Sequence, residues 1–269
     1  MNNNPKVSIV TSVFNGAKYL EETILSVINQ SYKNIEYIII DGGSTDGSVD
    51  IIKKYENKLA YWISEPDNGM YEGIQKGLQQ VTGEICAYIN SDDLYFPIAV
   101  ETVVNVMTNH DEVKFLKGLD VIYNEKSFIV DVNIPYFPNR NAISKYIFGA
   151  IQQESTFWKS ELNKSIDWEK FITFRLAGDH YLWYCFSRVT DLYIVNSCIG
   201  GFRHHKGQLS TDKKRYIAEL KTFIQKKTVL DLFGEFYWRI LKRLCNLEQW
   251  TKLSKNRFLM WDEESDTFI

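Results

Sequence analysis

The chain has 269 residues, of which 45% are hydrophobic and 14% aromatic, and a formal net charge of -3. It can bury a substantial core as one large domain, or as one domain with an appendage. The small net charge and the lack of any RNA-recognition or zinc-finger spacing exclude general nucleic-acid binding, so no nucleic-acid partner is expected.

The four cysteines, Cys86, Cys185, Cys198 and Cys245, follow no C-x-x-C spacing. They indicate neither a zinc site nor a disulfide framework and suit a reducing cytoplasm. The polar start runs straight into a strand pattern, without the basic-then-apolar layout of a secretory signal. No uncharged apolar run reaches the roughly 18 residues that would span a bilayer. A soluble, cytoplasmic protein is expected, attached at most to the inner face of a cell membrane.

In chain order, Val7 to Val13 reads as a buried strand ending at Phe14, Asn15 and Gly16, and Leu20, Ile24, Leu25 and Ile28 then fall on one helix face. Ile35 to Ile40 is a second strand, followed by the Asp41-to-Gly47 turn and a helix from Ser48 to Tyr55. Leu59 to Ser64 is a short third strand. The turn Glu65 to Gly69 leads into a helix from Met70 to about Gln80, and Ile85 to Ile89 is the fourth strand. Four strands alternating with three helices call for a parallel sheet with right-handed crossovers.

Beyond Phe96 the alternation loosens. The pattern predicts a helix from Ile98 to Met107, strands at Val113 to Lys117, Phe128 to Val132, Ser155 to Lys159 and Tyr193 to Gly200, and a helix from His180 to Arg188. From Arg215 onward the chain reads as helical. Phe233, Phe236, Tyr237, Ile240, Leu241, Leu244 and Leu247 form an apolar stripe, and Arg239, Lys242, Arg243, Lys252, Lys255 and Arg257 outnumber Glu235 and Glu248. Such a stripe packs on the core, packs on another copy in a homo-oligomer, or lies on an anionic membrane, here through 233–259.

In a parallel sheet Asp41, Asp67 and the pair Asp92 and Asp93 all emerge at one edge, because each follows a strand's carboxyl end. Three acidic tips side by side require a cation or hydrogen-bond donors among them. Asp92 could instead cap the helix near Pro97, Asp41 could simply open an Asp-Gly-Gly turn, and Asp179, just before a helix, could be its N-cap. Exposed loop polarity is the plain reading of Glu65 and Glu154.

The series Val7 to Asn15, Asp41 to Gly47, Ser64 to Gly77 and Asn90 to Asp93 resembles the nucleotide-sugar-binding half of glycosyltransferase family 2. The likeness continues through Gln153 to Trp158, Ala177 to Asp179 and Gly201 to Ser210, and it leaves the tail outside. Asn90 departs from it, since many members carry aspartate there. The resemblance implies an α/β GT-A fold, a Rossmann-like, mostly parallel sheet flanked by helices. It implies a domain over 1–212 (nucleotide half 1–96, acceptor-side half 97–212) and a helical extension over 213–269.

The same resemblance implies an inverting transfer from a UDP-sugar to a hydroxyl of a glycan, or lipid-linked glycan, in cell-surface polysaccharide synthesis, assisted by Mn2+ or Mg2+. Asp179 would be the general base. Asp41 would accept the uracil imide N–H, and Asp92 would approach the ribose or sugar. Asp93 would hold the metal, with His205 preferred over His204 beside it. Asp67, Lys76, Asn90, Ser91, Gln153, Glu154 and Arg203 would border the nucleotide sugar, with Lys76 and Arg203 offering charge to the diphosphate. A dinucleotide oxidoreductase is excluded because no G-x-G-x-x-G follows the first strand. A glycosidase using Asp93 and Asp179, or a non-catalytic binding module on the same fold, remains as an alternative.

Overall fold

The computed structural model describes residues 4–136, 139–245, 249, 253 and 257–269. The first half runs β1 (Val7–Val13), α1 (Ala17–Ile28), β2 (Ile35–Asp41), α2 (Ser48–Lys54), β3 (Tyr61–Ser64), α3 (Met70–Leu78) and β4 (Ile85–Tyr88). It continues with β5 (Leu94–Tyr95), α4 (Ala99–Asn109), β6 (Phe115–Lys117), β7 (Asp120–Tyr123), β8 (Ile129–Asn133) and α5 (Arg140–Ser144). Then come β9 (Thr156–Lys159), α6 (Trp168–Phe171), α7 (Gly178–Ser187), β10 (Tyr193–Val195) and β11 (Gly200–Arg203). The tail adds α8 (Lys213–Leu220), α9 (Val229–Leu244), β12 (Phe258–Leu259), β13 (Trp261–Asp262) and β14 (Thr267–Phe268).

The main sheet has the order β12-β10-β6-β9-β4-β1-β2-β3. Every pairing in it is parallel except those of β9, which runs against β4 and β6. A smaller sheet, β5-β11-β7-β8, stands beside it. Strands β1, β2 and β4 read as near-continuous apolar runs because both faces of the sheet are covered there, whereas the edge strand β3 is half-exposed. Successive side chains divide between two cores: Ile9, Tyr37, Ile39 and Ala87 join the layer under α1 and α4, while Val10, Ile38, Ile40 and Tyr88 join the layer under α3 and α7. Parallel pairing brings Val13, Asp41 and Ser64 level with one another, so the strand tips end in one row.

Three features differ from the sequence-based expectation. The predicted strand Tyr193 to Gly200 is two strands in different sheets, β10 beside β6 and β11 beside β7, with the chain crossing between sheets at Asn196 to Ile199. The pairs β5 and β7 are too short to leave a periodic signature. The tail is not helical throughout, because β12 returns to cover the open edge of β10 and β13 pairs with β14. Of the predicted tail stripe and its charges, Leu247, Glu248, Lys252 and Lys255 lie outside the described residues. Among the described residues no helix is long and apolar enough to cross a membrane.

The sheet accepts α3 closely because residue 77 is glycine: a Cβ there would run into Val10 Cγ1. Val10 is fully buried and stiff at χ1. Gly77→Ala is therefore expected to cost about 1–3 kcal/mol through overpacking. An unchanged urea midpoint would mean that α3 can ride outward freely.

Candidate active site

The row of strand tips forms the floor of a cavity of about 1380 Å³. The loop after β1 is tied to the loop after β2. Asn15, held at φ 50°, donates its N–H to Ser44 Oγ (2.8 Å) and accepts from the Thr45 N–H (2.9 Å). The first amides of α1 are satisfied from the same loop, Gly16 N–H by Ser48 Oγ (3.0 Å) and Ala17 N–H by Asp46 Oδ2 (2.9 Å).

Asp41 lies beneath this floor, fully buried. Its Oδ2 accepts from the N–H groups of Gly43 (3.0 Å) and Ser44 (2.9 Å) and from Ser64 Oγ (2.6 Å). The turn-forming role is real, yet it uses one oxygen only: Oδ1 is buried without a partner. Asp67 lines the cavity, and its Oδ1 accepts the Gly69 N–H at 2.8 Å. Burial raises its pKa, and the Asp41 charge adds to the rise.

The two adjacent aspartates face opposite ways. Asp93 is fully buried, its Oδ1 accepting the Arg203 N–H (2.8 Å) and its Oδ2 the Asn90 side-chain amide (3.2 Å). Burial, then the Asp92 and Glu154 charges, push its pKa well up. The expectation that Asp93 presents a metal ligand is corrected on this point: the cavity is lined by Asn90, Ser91 and Asp92, and Asp93 points into the protein. Asp92 does not cap α4 either, whose N-cap is Ile98 without a side-chain bond.

Asp92 Oδ2 sits 2.9 Å from His205 Nε2. The other ring nitrogen, Nδ1, lies 2.9 Å from the Lys206 carbonyl, so both ring nitrogens face acceptors and a neutral ring can donate to only one of them. A proton on Nε2, or a cation held between Nε2 and the carboxylate, satisfies the pair. A histidine anchored through its second nitrogen to a carbonyl is the usual support of a metal-binding imidazole. His204 is exposed and does not line the cavity, whereas His205 does.

Arg203 corrects a second expectation. It is fully buried, donating from Nε to the Asp92 carbonyl (2.6 Å), from Nη1 to Ser127 Oγ (2.7 Å) and from Nη2 to Glu22 (2.9 Å), with its guanidinium 4.6 Å from the Tyr19 ring centre. All three guanidinium nitrogens are engaged within the protein, and the side chain has no exposed surface to offer a diphosphate. Lys76 is a third correction: it bridges Glu65 (2.9 Å) and Glu72 (3.2 Å) outside the cavity, because the helical spacing of four residues lays it over Glu72.

Asp179 is the second residue of α7, whose N-cap is Ala177, so it is not the cap. It lines the cavity, its Oδ1 accepting the His180 N–H at 2.6 Å, while its own N–H donates to the Tyr71 hydroxyl at 3.3 Å. Burial pushes its carboxyl up to about 7. Tyr71, Tyr88, Tyr146 and Tyr216 crowd round it, their phenols raised first by burial, with the Asp179 charge adding to the rise. The Tyr88 hydroxyl has no partner among the described residues.

Gln153 and Glu154 also line the cavity. With its amide oriented to satisfy both ends, Gln153 donates to the Tyr88 carbonyl (2.9 Å) and accepts from Asn90 (3.1 Å) and from the Glu154 N–H (3.2 Å). Glu154 is not exposed loop polarity. Only 2% of it is accessible, its Oε1 has no partner, and burial raises its carboxyl to about 8. The burial follows from Gly200, where any Cβ would strike the Glu154 carbonyl, so β11 closes directly over this segment.

Lys18, Arg175 and Lys213, which no sequence pattern marks, make a cationic rim together with Lys206. Arg175 lies so close to Gly69 that a Cβ there would overlap its guanidinium, yet it sits in an irregular stretch with no pattern to mark it. Tyr88 reads as core, and only its unpartnered hydroxyl reveals a second use.

A parallel sheet whose tips build an acidic, carboxylate-lined cavity, closed by a second half that supplies a carboxyl held near neutrality, defines a GT-A glycosyltransferase. The chain matches the model for Glycosyl transferase family 2 over residues 8–172 and belongs to that family. An uncharacterized glycosyltransferase of Rickettsia typhi is 29% identical over 238 residues, 83% of this chain and 73% of the relative. Among solved structures, residues 1–349 of S. aureus TarS in complex with UDP-GlcNAc superpose with a TM-score of 0.62 at 15% identity, over 92% of this chain and 79% of that one. The mannosyltransferase PcManGT of Pyrobaculum calidifontis, in complex with GDP-Man and Mn2+, gives 0.59 at 15% identity, over 93% and 74%.

Because the buried Arg203 guanidinium holds the Asp92 carbonyl, Ser127 and Glu22, Arg203→Met should destabilise the protein by about 1–3 kcal/mol, since it leaves those acceptors without their donor. Chemical denaturation measures this. A loss of nucleotide affinity at full stability would instead put Arg203 on the ligand.

Proposed function

We propose that the protein is an inverting glycosyltransferase that moves a sugar from a UDP-sugar to a hydroxyl of a glycan. The observation that carries this reading is Asp179, a carboxyl held near pH 7 in the same cavity as the Asp92 and His205 pair. The division of labour between residues 1–96, for the nucleotide, and 97–212, for the acceptor, belongs to the proposal. So do a lipid-linked glycan acceptor, a role in cell-surface polysaccharide synthesis and a workplace at the cytoplasmic face of a membrane.

On this reading the unpartnered Asp41 Oδ1 is the acceptor for the uracil imide N–H, reached by a small opening of the floor. Asp92 and His205, an oxygen and a nitrogen donor facing each other, fit a divalent cation such as Mn2+ or Mg2+. That cation, when bound, would neutralise charge on the diphosphate as UDP departs. Lys18, Arg175, Lys206 and Lys213 add positive charge at the rim. Asp179 accepts the proton of the acceptor hydroxyl while its oxygen forms the bond to the anomeric carbon from the face opposite the phosphate. The anomeric C–O bond breaks as that bond forms, and its electron pair leaves with UDP.

The first test is calorimetric titration with UDP, GDP and TDP, each with and without Mn2+. UDP is expected to bind best and to weaken under chelation. Asp92→Ala should remove the Mn2+-dependent part of the affinity, whereas metal-dependent binding that survives it would withdraw Asp92 as a ligand.

A second expectation concerns the base. Protonation disables it, so kcat/KM should rise with pH through about 7 and level off above, falling about tenfold per unit on the acid side. Asp179→Asn should keep UDP affinity and lose about 10²–10⁴ in transfer rate. Full turnover in that variant would reassign the base, and an acid limb in the ordinary carboxylate range would remove the burial argument.

A further inference from the structure

Helix α9 turns its most apolar side to solvent. Leu230 is 82% exposed, Phe233 67%, Phe236 64%, Tyr237 59%, Ile240 40% and Leu244 76%. At about 100° per residue these six share one arc of roughly 120°. The opposite side already seats the helix: Asp231 holds Lys145 (2.7 Å) and Asn141 (3.0 Å), Trp238 and Leu241 pack with Ile194 and Phe258, and Lys242 stands 4.2 Å over the Tyr136 ring. The core is therefore served by one side of the helix, and the exposed stripe is not part of it.

Beside the stripe, bases outnumber acids. Arg239 and Arg243 flank it, and Lys226 and Lys227 precede the helix. The acids of the segment are engaged locally, Asp231 with Lys145, and Glu235 with Lys227 (2.8 Å) and Arg239 (2.7 Å). A contiguous apolar face of this kind marks an interaction surface. Self-pairing about a two-fold axis would bring each basic flank against its own copy. An anionic surface is complementary to it.

We propose that α9 lies in the interfacial plane of an anionic lipid bilayer. Leu230, Phe233, Phe236, Tyr237, Ile240 and Leu244 enter the acyl boundary, with Arg239 and Arg243 at the headgroups. The preceding helix α8 lines the catalytic cavity through Lys213, Tyr216 and Ile217, so the membrane contact and the acceptor end of the cavity belong to consecutive helices. This deepens the proposed function by giving a lipid-borne acceptor its route. The lipid contact itself rests on α9 and does not depend on the donor being a UDP-sugar.

The test is flotation of the full chain with vesicles of phosphatidylcholine alone and of a two-to-one mixture with phosphatidylglycerol. The protein is expected to float with the mixed vesicles, to do so far less with the neutral ones, and to be released by high salt. The double variant Phe233→Glu, Leu244→Glu should cut the bound fraction about tenfold or more, with far-UV circular dichroism and UDP titration matching the parent. Failure of the parent to float, or equal flotation of the double variant, overturns the proposal. A dimer in sedimentation that the same variant disperses, without flotation, overturns it as well and gives the face to a second copy.

Discussion

The buried contact between Asp93 and Arg203 is the constraint on which the site depends. A carboxylate with no exposed surface is tolerated because a backbone N–H of β11 and the Asn90 amide meet it. The guanidinium of the same arginine holds the neighbouring Asp92 carbonyl, the β7–β8 turn through Ser127 and helix α1 through Glu22. One residue thus fixes the tip of β4 against three elements that are far apart in sequence. Removing the guanidinium would release all three attachments at once, while Asp93 would keep the backbone N–H that meets it.

That clamp also decides which aspartate faces the cavity. The sequence offers two adjacent acids and no means of telling inside from outside, because the chain has left the strand and period-two alternation no longer applies. The turn closed by the Asp93 N–H on the Asn90 carbonyl (3.2 Å) swings Asp93 inward and leaves Asp92 outward with His205. The same limit explains Arg203 and Glu154. Long charged side chains read as surface, and their burial depends on β11 arriving from over forty residues away through Gly200.

What the sequence does carry is local. Apolar runs of strand length, helices of one-sided pattern and turn residues at each strand end specify β1 to β4 and α1 to α3, and parallel pairing then aligns Val13, Asp41 and Ser64. The second half is set by long-range contact. A strand of two residues such as β5 leaves no usable period, and a run such as Tyr193 to Gly200 looks continuous although its ends belong to different sheets. The tail shows the same division: the helical period of α9 is plain, but the side that packs is chosen by Asp231 meeting Lys145.

The charges are distributed by mobility as well as by sign. The acids, Asp41, Asp93, Glu154 and Asp179, are held deep by strand ends and a helix start, where burial raises the carboxyls of the last three and keeps Glu154 and Asp179 near neutrality. The bases at the mouth sit on loops, on the first turn of α1 and on α8, and Lys18 has two thirds of its side chain in solvent. An anionic ligand approaching such a mouth meets exposed positive charge first, which steers without fixing a geometry. It meets the buried acceptors only once inside, where a misplaced hydrogen bond is more costly. Capture and positioning are thereby assigned to different residues, and a substitution at the rim should alter how often a donor arrives more than how it is held.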